Sequence, residues 1–203
     1  MSPGVTFERV YRELKRMLAE GELPPGTPIE PALIGKQIAS SITPIRDALH
    51  RLTGEWLVEA PNHNGFRVPL LTEAGLRDLY SWNAQMLRLA VQHIRSSAPK
   101  GTEGVPILVT DVREAIASLF VDMVRPAGSG EHIRAIQHLN EKLASFRRAE
   151  TRLLGGLIDE YEALARSFAS GDRVRLRRLI DRYHRRRILG ASDILAANAR
   201  GEG

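Results

Sequence analysis

The stretch Ser41-Ile42-Thr43-Pro44-Ile45-Arg46-Asp47-Ala48-Leu49-His50-Arg51-Leu52 decides how the rest of the chain is read. Ser41 or Thr43 can accept a hydrogen bond from the open N–H groups of a first helical turn. Pro44 falls within that turn, where a missing N–H costs nothing. Ile45, Ala48, Leu49 and Leu52 recur at helical spacing and form one apolar face, which leaves Thr43, Arg46, Asp47 and His50 on the other. A short helix with a hydroxyl at its start and an arginine in its first turn suits the major groove of DNA, because Arg46 can donate two parallel hydrogen bonds to a guanine edge. The same residues would also make an ordinary amphipathic helix with a solvated charged face, so the neighbouring sequence must decide.

Upstream, Phe7, Val10, Tyr11, Leu14, Met17 and Leu18 predict a helix from about 5 to 20, which Gly21 stops. Leu23-Pro24-Pro25-Gly26 reads as a rigid turn, and Pro28 and Pro31 keep a helix from resuming before residue 31. A short helix carrying Ile34 and Ile38 follows, and Ala39-Ser40-Ser41 turns the chain into the helix quoted above. Two short helices joined by so few residues are the spacing of a helix-turn-helix. Downstream, Gly54 is expected to end the helix, Trp56–Ala60 and Phe66–Val68 read as two strands, and Pro61-Asn62-His63-Asn64-Gly65 as the turn between them. Helix, helix-turn-helix, hairpin is the order of a winged helix. Its wing tip, here Asn62, His63, Asn64 and the Gly65 backbone, would reach a minor groove or the phosphates.

These residues strongly resemble the N-terminal domain of the GntR family of bacterial transcriptional regulators. The resemblance rests on Gly21-Glu22-Leu23-Pro24-Pro25-Gly26, Ser41 to Leu49, Arg51-Leu52 and Gly65-Phe66-Arg67-Val68, and covers about residues 5–70. It implies that Ser41, Thr43, Arg46 and Gly65 lie at the DNA, and Lys36 and His50 complete the expected DNA-binding set. The chain departs from the family at Ile42, where arginine is usual, and at Trp56, where glycine is usual and a displaced helix end is expected.

The formal net charge is +5 and the pI is near 10.0, yet residues 1–71 carry eight Lys or Arg and eight Asp or Glu. The excess lies between Arg173 and Arg187, where eight arginines accompany only Asp181. That run reads as a solvated helix face, so specific binding has to come from local geometry rather than net charge. The absence of cysteine excludes disulfides, thiolate metal sites and a cysteine nucleophile. No apolar run approaches the length of a membrane span, which points to a cytoplasmic protein.

From Thr72 onward the pattern is helical. Apolar periods predict helices over about 73–95, then from a cap at Thr110, then 131–153, then one carrying Leu157 to Phe168, and a last one over 172–197. The longest loop of this part is expected across residues 96–106. Five antiparallel helices make a bundle. The fold expected is therefore mainly α, with a winged helix-turn-helix over residues 1–70 and an all-helical domain over 72–203. This second part looks like the FCD effector domain of the FadR branch of the same family, most closely over Phe120 to Gly128 and Glu160 to His184. Relatives hold a divalent metal there with an Asp and three His, positions that align with Ile116, Phe120, Tyr161 and His184. Because only His184 is kept, no metal and no cofactor are expected. Phe120, Tyr161 and His184 are the expected effector contacts, for a ligand less acidic than the usual carboxylates, although an inward His184 is also an ordinary core histidine.

The function expected is a homodimeric regulator, a repressor, that binds double-stranded DNA at an inverted repeat and answers to a small molecule. The alternatives are a regulator whose effector domain is vestigial and binds nothing, and a helical-bundle enzyme that uses its winged helix for interactions. The sequence offers the enzyme neither a phosphate-binding glycine loop nor a convincing carboxylate and histidine set.

Overall fold

The computed structural model describes residues 3–61, 65–94 and 109–200. Helix α1 (Pro3–Ala19) buries Val10, Leu14 and Met17 against α3 (Ile42–Gly54), whose Ile45, Ala48, Leu49 and Leu52 are fully buried. Between them, α2 (Pro31–Gln37) starts at its proline and carries Ile34 inward. Gly35 sits inside this short helix because a Cβ there would come within 2.8 Å of the Ser40 carbonyl oxygen, and the Ser40 N–H donates to the Gly35 carbonyl at 3.0 Å. That close approach sets the tight turn from α2 into α3.

The wing differs from its expected form. Strand β2 (Phe66–Arg67) pairs antiparallel with β1 (Pro28–Ile29), a strand that the sequence pattern does not predict. Pro28 lacks an N–H, which an edge position tolerates. Of the expected strand over 56–60, only Glu59 pairs, exchanging two 2.8 Å hydrogen bonds with Arg67. The rest is taken up by the end of α3. Leu57 N–H reaches back to the Leu52 carbonyl and Trp56 N–H to that of Thr53, with Trp56 at φ +56. This is a Schellman cap whose left-handed residue is tryptophan instead of glycine. The helix end is therefore not displaced; Gly54 remains helical and Trp56 carries the strained conformation.

After Thr72, whose hydroxyl accepts from the Gly75 N–H, come α4 (Glu73–Val91), α5 (Val112–Val124), α6 (Gly130–Leu153), α7 (Leu157–Ala169), α8 (Arg173–Leu189) and α9 (Ala191–Ala199). Two expectations are corrected here. Asp111 rather than Thr110 caps α5, accepting from the Arg113 N–H at 2.8 Å, and the expected last helix breaks at Gly190 into α8 and α9. The break turns Ala191 and Ile194 into a cluster with Leu76, Tyr80, Leu143 and Phe146 of α4 and α6, burial that a straight helix could not reach. Residues 96–106 lie outside the described residues. Apolar side chains up to Val68 gather in one cluster, and those from Leu71 on in two adjoining ones.

Candidate functional site

With its apolar stripe buried, α3 leaves Thr43, Arg46, Asp47 and His50 exposed, and Ser41 and Lys36 are exposed beside them. Ser41 holds the N-cap position but its hydroxyl makes no capping bond. Arg46 forms no hydrogen bond or ion pair among the described residues. Arg51, one turn further on, is committed to the scaffold: its guanidinium lies 4.1 Å from the Tyr11 ring centre and pairs with Glu8 and Glu55 at 3.3 and 3.2 Å. His50 packs edge-on to Phe66, ring centres 4.9 Å apart, so it also braces α3 against β2. Ile42 is half exposed, an apolar side chain in a polar face. Arg9 donates to the Ile38 carbonyl and fixes α1 to the turn.

Gly65 opens the wing strand at φ +82 in open space, so the backbone conformation and not crowding calls for glycine there. Asn62, His63 and Asn64 lie outside the described residues. The face so assembled, a free arginine and uncommitted hydroxyls on a rigidly backed helix with a wing beside it, can donate hydrogen bonds to base edges and phosphates.

In the bundle, the expected effector residues are partly brought together. Phe120 is fully buried and stacks on the His184 ring, centres 5.9 Å apart. Tyr161, half-buried on α7, packs against the same core. The His184 Nδ1–H donates to the Ile180 carbonyl at 2.7 Å and Nε2 lies 2.7 Å from Asn83 Oδ1. Burial, aided by the charges of Arg187 and Arg147, pushes the ring down to about 3. A neutral ring has one N–H, which Ile180 takes; Nε2 is matched when the Asn83 amide offers it the Nδ2 that otherwise has no partner. Both ring nitrogens are thus engaged. Among the described residues no three His, Cys, Asp or Glu side chains gather as a metal site requires.

Sequence reasoning missed the polar centre of the bundle. Arg187, read as part of a solvated face, is 2% exposed; its Nε donates to Glu150 at 2.7 Å and one terminal nitrogen to Glu160 at 3.1 Å, while its guanidinium lies 3.3 Å from the Tyr183 ring centre. Arg186 pairs with the other oxygen of Glu160 at 3.0 Å. Tyr80 donates to Glu150 at 2.6 Å, and burial beside that carboxylate raises its phenol well above its ordinary value. Most of the remaining arginines of the run, Arg173, Arg175, Arg177, Arg178, Arg182 and Arg185, are exposed as expected.

A narrow cavity opens beside this centre between α5, α6, α7 and α8, about 250 Å³ with the solvent at its mouth included. It is lined by Arg113, Ile116, Arg147, Glu150, Tyr183 and Arg187, with Val112, Thr151 and Leu157 completing its wall. Phe120 and His184 stand behind it, in ring contact with Tyr183 at 5.3 and 4.9 Å. Three arginines and Glu150 line it, and Asp111, Glu20 and Glu160 pair with two of those arginines. The carboxylate partners of Arg187 lie far away in the chain, whereas Arg113 and Asp111 are two positions apart and Arg147 and Asn140 seven.

Residues 6–68 match the family of bacterial regulatory proteins named gntR. Over 162 residues, 80% of this chain and 69% of the relative, the sequence is 26% identical to the uncharacterized HTH-type transcriptional regulator YdhC of Bacillus subtilis (strain 168). It is 32% identical over 81 residues, 40% of this chain and 37% of the relative, to the HTH-type transcriptional repressor GlaR of Escherichia coli (strain K12). The fold is similar to that of E. coli McbR/YncC, with a TM-score of 0.64 at 18% identity over 92% of this chain and 97% of the other. It is also similar to a structure described as a transcriptional regulator GntR from Rhodococcus sp. RHA1, with a TM-score of 0.70 at 15% identity and the same coverage.

Proposed function

We propose that this chain, whose residues 6–68 match the gntR family of bacterial regulatory proteins, is a DNA-binding transcriptional regulator of that family and represses transcription as a homodimer bound to an inverted-repeat operator. Residues 1–70 form the DNA-binding domain of this reading. Lys36, Ser41, Thr43, Arg46 and His50 face the major groove, and Asn62, His63, Asn64 and Gly65 face the backbone or minor groove. Residues 72–203 form an FCD-like domain that pairs two copies and holds a small effector without a metal. Its site is the arginine-lined cavity, with Phe120 and His184 supporting Tyr183 from behind and Tyr161 in the adjoining core.

The observation that carries the DNA reading is the contrast on α3, where Arg51 is tied down and Arg46 is left free. Ile42 in place of arginine removes one phosphate or base contact, so the half-site should be read over fewer positions than is usual in the family. No helix of the described residues is long and apolar enough to cross a membrane, which agrees with a cytoplasmic regulator.

Selection of bound duplexes from a random DNA pool tests this. The expected product is a short inverted repeat with half-sites about one helical turn apart, held by two copies of the chain. A bound sequence without symmetry, or a pool that stays unenriched, would refute the reading.

A further inference from the structure

Ile42 is the first residue of α3 and is half exposed. The other Ile, Leu and Ala side chains of that helix, Ile45, Ala48, Leu49 and Leu52, are fully buried. The Cα–Cβ bonds of a helix tilt toward its N-terminus, so the Ile42 side chain projects ahead of the first turn. That is the end of the helix that meets base edges in a helix-turn-helix. Arg46 stands four residues on, one turn along the same face, and Thr43 lies beside Ile42; both are exposed. An apolar side chain thus sits among the groups that are free to hydrogen-bond to DNA.

The side chain is also held in place. The backbone enters Ile42 from the tight turn in which the Ser40 N–H donates to the Gly35 carbonyl at 3.0 Å, and Arg9 ties the same turn to α1 through the Ile38 carbonyl at 3.0 Å. Branching at Cβ restricts an isoleucine in a helix to few rotamers, so ordering Ile42 against a base costs little. It has no donor and no acceptor, and cannot take over the hydrogen bonds of an arginine. The major-groove edges of the four base pairs differ in donors and acceptors, and thymine alone adds an apolar group there, its 5-methyl. Against guanine, Ile42 would cover the N7 and O6 acceptors and give them no partner in exchange for water. One residue therefore favours thymine and penalises guanine.

We propose that Ile42 reads a thymine in each half-site by packing on its 5-methyl group in the major groove. The inference rests on the reading of the chain as a sequence-specific DNA-binding regulator, and it names one base that α3 selects. Hydrogen-bonded readout of the half-site is shorter by one arginine, and the isoleucine adds a readout of another kind. Four residues of helix rise about 6 Å, close to two base-pair steps. The thymine therefore lies within about two base pairs of the base read by Arg46. Burying one methyl-sized group is worth about a fourfold change in affinity, and about fifteenfold when both half-sites are counted.

The test uses the full chain and the operator selected from the random pool, with deoxyuridine replacing one thymine at a time. The exchange removes the methyl group and leaves every hydrogen-bonding group of the base in place. At one position of each half-site, within about two base pairs of the position that Arg46→Ala relaxes, it should weaken binding about fourfold, and about fifteenfold when both half-sites carry it. Ile42→Ala should bind the thymine and deoxyuridine duplexes alike, with an unchanged melting temperature, and Ile42→Val should keep part of the discrimination. Selection repeated with Ile42→Arg should put guanine in place of that thymine. A half-site with no thymine in that range, or an unaltered protein indifferent to deoxyuridine at every thymine, overturns the inference and leaves the regulator reading standing. A penalty that Ile42→Ala retains in full does the same, since another group then reads the methyl. A pool that stays unenriched removes the regulator reading, and the inference with it.

Discussion

The outward face of α3 and the interior of the bundle both present arginines, and they use them in opposite ways. Arg46 is exposed and has no partner among the described residues, whereas Arg187 is buried between two carboxylates and an aromatic ring. A guanidinium whose donors are already taken has none left for a base edge; one held free on a rigid helix has all five. The comparison separates scaffold from contact surface on chemical grounds. Arg51 shows that the distinction runs within a single helix, since it lies near the end of α3 and is spent on Tyr11, Glu8 and Glu55.

The largest effect expected is on the committed side. Arg187→Met leaves Glu150 buried without its cation and should cost about 3–5 kcal/mol of folding stability in urea denaturation. A loss under about 1 kcal/mol, the range of exposed pairs, would erase the distinction drawn between Arg187 and a surface arginine.

That contrast was only half legible in the sequence. Periodicity located α1, α3, α4 and α6 within a few residues, because each buries a continuous stripe such as Ile45, Ala48, Leu49 and Leu52. The polar face of α3 could be read for the same reason. Arg187 could not, since Glu150 and Glu160 lie 37 and 27 positions away and nothing local distinguishes it from its exposed neighbours. Arg113 and Arg147 were missed although Asp111 and Asn140 lie only two and seven positions away, because such polar neighbours look the same on a solvated helix face. Strand β1 escaped because two residues between prolines carry no alternation to detect, and the kink at Gly190 because a single glycine is tolerated in a helix until tertiary burial favours a turn.

The next effect concerns His184, whose folded value is pushed down to about 3 from an ordinary 6.5. Between those values the unfolded chain takes up a proton that the folded chain refuses. Stability is therefore full above pH 6.5 and falls as pH drops toward 3, by up to about 1.4 kcal/mol per unit. From pH 7 to pH 5 this amounts to about 2 kcal/mol, and His184→Gln should lose that much less over the same interval. Equal slopes for the two proteins would mean that His184 is hydrated, contrary to the committed interior described above.

A smaller effect sharpens the α3 side. Trp56 is 74% exposed and strained at φ +56, so Trp56→Gly should raise stability by about 1 kcal/mol through relief of the left-handed conformation. A lowered melting temperature would show that the indole contributes packing that its exposure conceals.

The central claim, that the free face of α3 reads DNA, is tested most directly by titrating the selected operator with the unaltered protein and with Arg46→Ala, alongside their melting curves. The variant should lose about 1–3 kcal/mol of specific affinity and relax the preference at one position of each half-site, with its melting temperature unchanged. Undiminished affinity and an unaltered base preference would contradict it.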